Sequence, residues 1–172
     1  MTETIYTQDT MILNNNGNII TVGVGDLKIA RSPKVIKTSL GSCVGVVLYD
    51  SVQKIGGMLH LMLPNCNNRE GKPGKYADTG IPLLLDLMLN QAKSKKNALT
   101  ARIFGGAKMF NVSSELFDIG RSNIAETERL LKQYSIRITA SRVGGTKGHQ
   151  ITLDTETGAV QSRIFGEPVK QY

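Results

Sequence analysis

The sequence predicts a mixed α/β (α+β) domain, with layered β-strands flanked by two main helices. Three observations predict it. Short β-branched or apolar runs bounded by Gly, Pro, Asp and Ser recur along the chain, as strands should. Two longer stretches carry apolar residues at helical spacing. Eighteen glycines in 172 residues favour tight turns and short strands. A chain of this length buries about 70% of its unfolded surface, enough for one core without staples. Residues 18–172 are therefore expected to form a single domain behind an N-terminal tail of residues 1–17.

The segment Asn14-Asn15-Asn16-Gly17-Asn18 reads as a turn, because Asn and Gly tolerate positive φ. Strands are predicted over 19–24, 35–40, 43–49 and 55–63, with Asp50-Ser51 turning the third run back into the fourth. The polar, Gly-rich stretch 64–75 is a loop. Asp78 is expected to cap a helix that shows Leu83, Leu84, Leu87 and Met88, with Pro82 inside its first turn. A strand over 101–104 leads to Gly105-Gly106 and an irregular stretch. A second helix around 122–134 presents Ile124, Leu130 and Leu131 on one side. Strands over 136–140, 150–154 and 159–165 follow, the last two flanking a turn at Glu156-Thr157-Gly158. The glycine pairs Gly56-Gly57, Gly105-Gly106 and Gly144-Gly145 are read as scaffold, for unusual φ or close chain approach.

No stretch approaches the roughly 20 apolar residues needed to cross a bilayer, and the start of the chain lacks the pattern of a signal peptide. Neither membrane insertion nor secretion is expected, which places the protein in the cytoplasm. There the thiols of Cys43 and Cys66 stay reduced. A formal charge of +7 suits an anionic partner. The basic residues are scattered, with only Lys93, Lys95 and Lys96 close together and few aromatics among them, so nucleic acid is not expected.

Cys43 follows Leu40-Gly41-Ser42 where a Gly-containing turn meets an apolar strand, a place for a side chain to face a cleft on a rigid scaffold. The backbone around Gly41 and Ser42 can aim N–H groups at a developing oxyanion. The competing reading is a small buried hydrophobe. His60 lies in the strand that returns beside Cys43. A neighbouring imidazolium lowers a thiol pKa and supplies the leaving group's proton. A satisfied structural histidine is the alternative. Cys43, Cys66, His60 and His149 are all the Cys and His present, and their spacing matches no zinc pattern. Neither a phosphate-binding loop nor a Gly-x-Ser-x-Gly elbow is found. No metal and no cofactor are expected.

Thr38-Ser39-Leu40-Gly41-Ser42-Cys43-Val44 and Gly57-Met58-Leu59-His60-Leu61-Met62-Leu63-Pro64 resemble the two active-site segments of the CheD family of chemoreceptor glutamine deamidases. Lys75-Tyr76-Ala77-Asp78, Phe104-Gly105-Gly106-Ala107-Lys108-Met109-Phe110, Ile119-Gly120-Arg121-Ser122-Asn123 and Gly144-Gly145-Thr146-Lys147-Gly148 occur in the order of that family's later motifs. His149 stands where family members often carry arginine, and it is read as an exposed loop residue. Cys66 is read as incidental.

The resemblance implies a hydrolase of chemotaxis adaptation, a protein-glutamine deamidase acting on the cytoplasmic helical hairpin of chemoreceptors. It implies Cys43 as nucleophile, His60 as its acid/base and Thr38 as the residue that orients His60. Ser42, Gly41 and Ser39 are cleft candidates. A CheC-type response-regulator phosphatase is implied as partner. Two alternatives use the same scaffold: a non-catalytic module that binds the phosphatase or receptor, and a receptor glutamyl methylesterase.

Overall fold

The computed structural model describes residues 18–109 and 118–172. The tail, its Asn-rich turn up to Gly17, Phe110 and most of the irregular stretch before the second helix lie outside the described residues.

The described residues stack in three layers. One sheet runs in the order β1 (Ile19–Thr21), β3 (Val35–Leu40), β8 (His149–Asp154), β9 (Val160–Ile164), β10 (Lys170–Gln171). The other runs β2 (Leu27–Arg31), β5 (Ile55–Leu61), β4 (Val44–Asp50), β6 (Leu99–Gly105), β7 (Arg137–Val143). Helices α1 (Ala77–Asp86) and α2 (Ile119–Gln133) cover the free face of the second sheet, and a π-helical turn, Leu87–Gln91, extends α1. Pairing is antiparallel except for β1 with β3 and β6 with β7, the latter pair joined through α2. Among the described residues no helix is long and apolar enough to cross a membrane.

The central strands β4 and β5 are buried along their whole length, because one face meets the helices and the other meets the first sheet. This explains why 43–49 and 55–63 read as continuous apolar runs rather than alternating ones. Val44, Val46 and Leu48 join Leu59, Leu61, Leu84, Met88, Leu130 and Leu131 on the helix side. Val47, Tyr49 and Met58 join Ile36, Leu40, Phe104, Ile151 and Leu153 between the sheets. Close approach at β5 leaves no room for larger residues. A Cβ on Gly56 would strike Leu153 and Thr155, and one on Gly57 would strike Leu84.

The helix start differs from expectation. The chain turns helical at Ala77 behind an uncapped Tyr76, which puts Asp78 inside the first turn and Pro82 at the sixth helical position. The Asp78 carboxylate accepts instead from the Cys66 amide at 2.9 and 3.0 Å, tying the polar loop to the helix. Strands β2 and β10 were not foreseen. Each is an edge strand with a single partner, and the Lys and Arg of Leu27–Arg31 break the apolar pattern that marks a strand. His149 is also not an exposed loop residue. It opens β8 opposite Leu40, and its inward parity with Ile151 and Leu153 buries it to 4% exposure.

Gly56→Val forces a branched side chain between the sheets. It is expected to cost about 1–3 kcal/mol by overpacking, read as a lower urea midpoint at unchanged slope.

Candidate active site

Period-two alternation decides what His60 sees. On β5 the even-numbered residues share Met58's face, so the imidazole enters the space between the sheets and is 3% exposed. Its backbone is held on the β2 side, where its N–H donates to Asp26 O at 3.0 Å and its carbonyl accepts from Gly25 N at 2.8 Å. On β3 the inward residues are Ile36, Thr38 and Leu40. Thr38 therefore meets His60 from the opposite sheet, with Oγ1 2.8 Å from Nδ1.

This contact fixes a tautomer. Thr38 Oγ1 also lies 2.7 Å from the Val22 carbonyl oxygen. Two oxygens that close need a proton between them, and the threonine hydroxyl carries the only one. With that proton given to Val22, Oγ1 can only accept from the imidazole, so Nδ1 carries the hydrogen and Nε2 the lone pair. Among the described residues Nε2 has no hydrogen-bond partner. Burial pushes the His60 pKa below its ordinary value, and the neighbouring Val22 carbonyl opposes that shift. At neutral pH His60 is a neutral imidazole with an available basic nitrogen.

Cys43 sits in the turn between β3 and β4, half-buried against the inter-sheet cluster. Gly45 stands opposite His60 in the β4–β5 register, and Cys43 is two residues before Gly45. Cys43 itself precedes the first paired residue of β4, and its side chain packs against the inter-sheet cluster, on the side of β5 that carries Met58 and His60. The turn is held from β6. Gly105 and Gly106 adopt φ of 93° and 68°, open only to glycine at low cost. They carry the chain under the turn, where Gly106 N donates to Cys43 O at 2.8 Å and Ala107 N to Gly41 O at 2.9 Å. Burial raises the thiol pKa, and Cys43's own amide pulls it back down. Desolvation disfavours the charged form of each group taken separately.

The structure brings Thr38 and His60 into contact and places Cys43 on their side of the sheet. Gly41 and Ser42 lie in the same turn. Ser39 departs from this group. It alternates with Thr38, so its side chain faces outward from β3 and lines a surface pocket with Gln150, Arg163 and Phe165. One neighbour escaped the sequence reading as a site residue. Asn123 of α2 is fully buried and donates from Nδ2 to Ser42 O at 3.1 Å and to Met62 O at 2.9 Å. The signal available was an Asn inside an amphipathic helix, on the face that packs inward.

A half-buried thiol and a histidine held through Nδ1 with Nε2 unpartnered among the described residues are the kinds of group that acyl transfer can use. Comparison with known proteins agrees in kind. A family model described as CheD chemotactic sensory transduction matches residues 62–164. A Desulforamulus reducens protein named "Probable chemoreceptor glutamine deamidase CheD" is 44% identical over 156 residues, covering 88% of this chain and 93% of its own length. Proteins of the same name from Pyrococcus abyssi and Methanococcus maripaludis are 45% identical over 158 residues and 43% over 150. They cover 88% and 87% of this chain, and 96% and 97% of their own lengths. The chain belongs to the CheD family.

Thr38→Val removes the hydroxyl without changing shape. It leaves the Val22 carbonyl and the His60 N–H buried and unpaired, at an expected cost of about 1–3 kcal/mol in urea unfolding. In the wild type, nitrogen NMR of His60 near neutral pH is expected to show protonated Nδ1 and bare Nε2. The reverse pattern would refute the tautomer.

Proposed function

We propose that this protein is a cysteine-dependent protein-glutamine deamidase of the cytoplasm, hydrolysing the side-chain amide of glutamines on chemoreceptor cytoplasmic helices to glutamate and ammonia. The observation that carries the reading is the Thr38–His60 pair, which leaves a basic imidazole nitrogen on the same sheet face as Cys43. The names of the 41–45% identical relatives supply the substrate.

In this reading Nε2 of His60 takes the Cys43 proton as sulfur attacks the carboxamide carbon. The carbonyl π pair moves onto oxygen, where turn amides receive the oxyanion. On collapse the C–N bond breaks, and the imidazolium gives its proton to the departing nitrogen, releasing ammonia and leaving a thioester. Water attacks that thioester, losing a proton to His60, and the C–S bond breaks to give glutamate and the restored thiol. Thr38 acts as a positioning residue, accepting from Nδ1 throughout so that Nε2 keeps its place. The net positive charge favours docking on an acidic receptor surface. A CheC-type phosphatase belongs to this reading as the partner that regulates access to the receptor.

Peptide mass spectrometry of a receptor cytoplasmic fragment tests it. Wild type is expected to add about one dalton at defined glutamines, while a folded Cys43→Ala protein adds none, as a cysteine nucleophile requires. No mass gain with wild type, in the presence of demonstrated receptor binding, would replace the reading with the binding-module one. The pH profile has a definite sign. Because the reactive histidine is neutral and its pKa is lowered, kcat/KM is expected to rise with pH through a value below about 6.5. It should then stay level into the alkaline range, since the raised thiol pKa delays loss of the second proton.

A further inference from the structure

Asn123 uses both protons of one amide on two backbone carbonyls that belong to different arms of the site. Ser42 O lies in the turn that carries Cys43, and Met62 O lies two residues beyond His60. Its Oδ1 is buried without a partner among the described residues, so the NH2 group is what the site employs. Two carbonyls facing one side-chain end also fix which atom is nitrogen, since an oxygen there would be repelled by both.

The Ser42 carbonyl and the Cys43 N–H are two ends of one peptide, and in a trans peptide they point in opposite directions. Holding that carbonyl on α2 turns the N–H away from the helix layer. Among the described residues, the Cys43 N–H meets no carbonyl acceptor. We infer that Asn123 is the positioning residue that orients the Ser42–Cys43 peptide, so that the Cys43 amide serves the thiolate and the oxyanion formed on the carboxamide oxygen when that sulfur adds to the carbon. A hydrogen bond received at the carbonyl also polarises the peptide and strengthens its N–H as a donor. Serine or threonine has one hydroxyl proton and can hold only one of the two carbonyls, and aspartate would repel both.

The inference rests on Cys43 as nucleophile, and its test is separable from the choice of substrate. The rate at which iodoacetamide alkylates Cys43 is measured against pH in the full chain, with Cys66 replaced by serine in every protein compared. Asn123→Ala is expected to shift the profile to higher pH and slow alkylation near neutrality by roughly threefold or more, because the thiolate loses an oriented donor. With the receptor fragment, kcat is expected to fall by about 10²-fold at unchanged KM, the mark of a donor used in the transition state. His60 and His149, the two histidines that face the space between the sheets, are common to both proteins. Thr127→Val, one turn along the same buried face of α2, is expected to leave both readouts at wild-type values. If Asn123→Ala does not fold, Asn123→Leu, which fills the same space and has no donor, is read in the same way. A folded variant whose alkylation profile coincides with that of wild type overturns the inference. A shifted profile in a system where wild type releases no ammonia upholds it and removes the deamidase reading.

Discussion

Two adjacent strands, β4 and β5, have no face turned to water. A helix layer lies on one side and a second sheet on the other, so alternation sorts their side chains into two dry compartments. Leucine and valine fill both. A polar side chain that enters must find partners inside, or each unpaired buried group costs about 1–3 kcal/mol. The neighbouring sheet supplies a partner for His60 Nδ1, while Nε2 has none among the described residues.

What Nδ1 needs is an acceptor that cannot also donate. Thr38 qualifies through its bond to Val22, which commits the hydroxyl proton elsewhere and leaves only oxygen lone pairs for the imidazole. The chain of contacts runs from a backbone carbonyl through a hydroxyl to a ring, and its direction is set at the carbonyl, the one member that can never donate. A structural requirement, holding a buried ring, and a chemical one, leaving a basic nitrogen unpaired, are met by the same three groups.

Much of this was legible in the chain. The runs 43–49 and 55–63, the Asp50-Ser51 turn and the leucine spacing of α1 mark local propensities, and tertiary packing agreed with them. Cys43 and His60 stood out because their types are scarce and sit at strand positions. Edge strands β2 and β10 were hidden, since a strand with one partner and charged residues lacks a distinctive pattern. Ser39 and Thr38 are indistinguishable as neighbours in a string, yet alternation sends them to opposite faces. Asn123 was the hardest to see. Its partners are carbonyls, which carry no sequence identity, so only the packing of α2 against the turn reveals it.

The contacts that build the site are far apart along the chain. Thr38 and His60 are separated by 22 positions, Asn123 and Met62 by 61, and Asn123 and Ser42 by 81. Contacts of such span form late, because loop closure must precede them and its entropy opposes each one. A chain that has not yet closed these loops is expected to hold Cys43 as an ordinary cysteine, without the Asn123 contacts that the folded chain places across its turn. On the proposed reading, reactivity comes with the completed topology, and a local opening at α2 removes the Asn123 contacts while leaving the strand pairings intact.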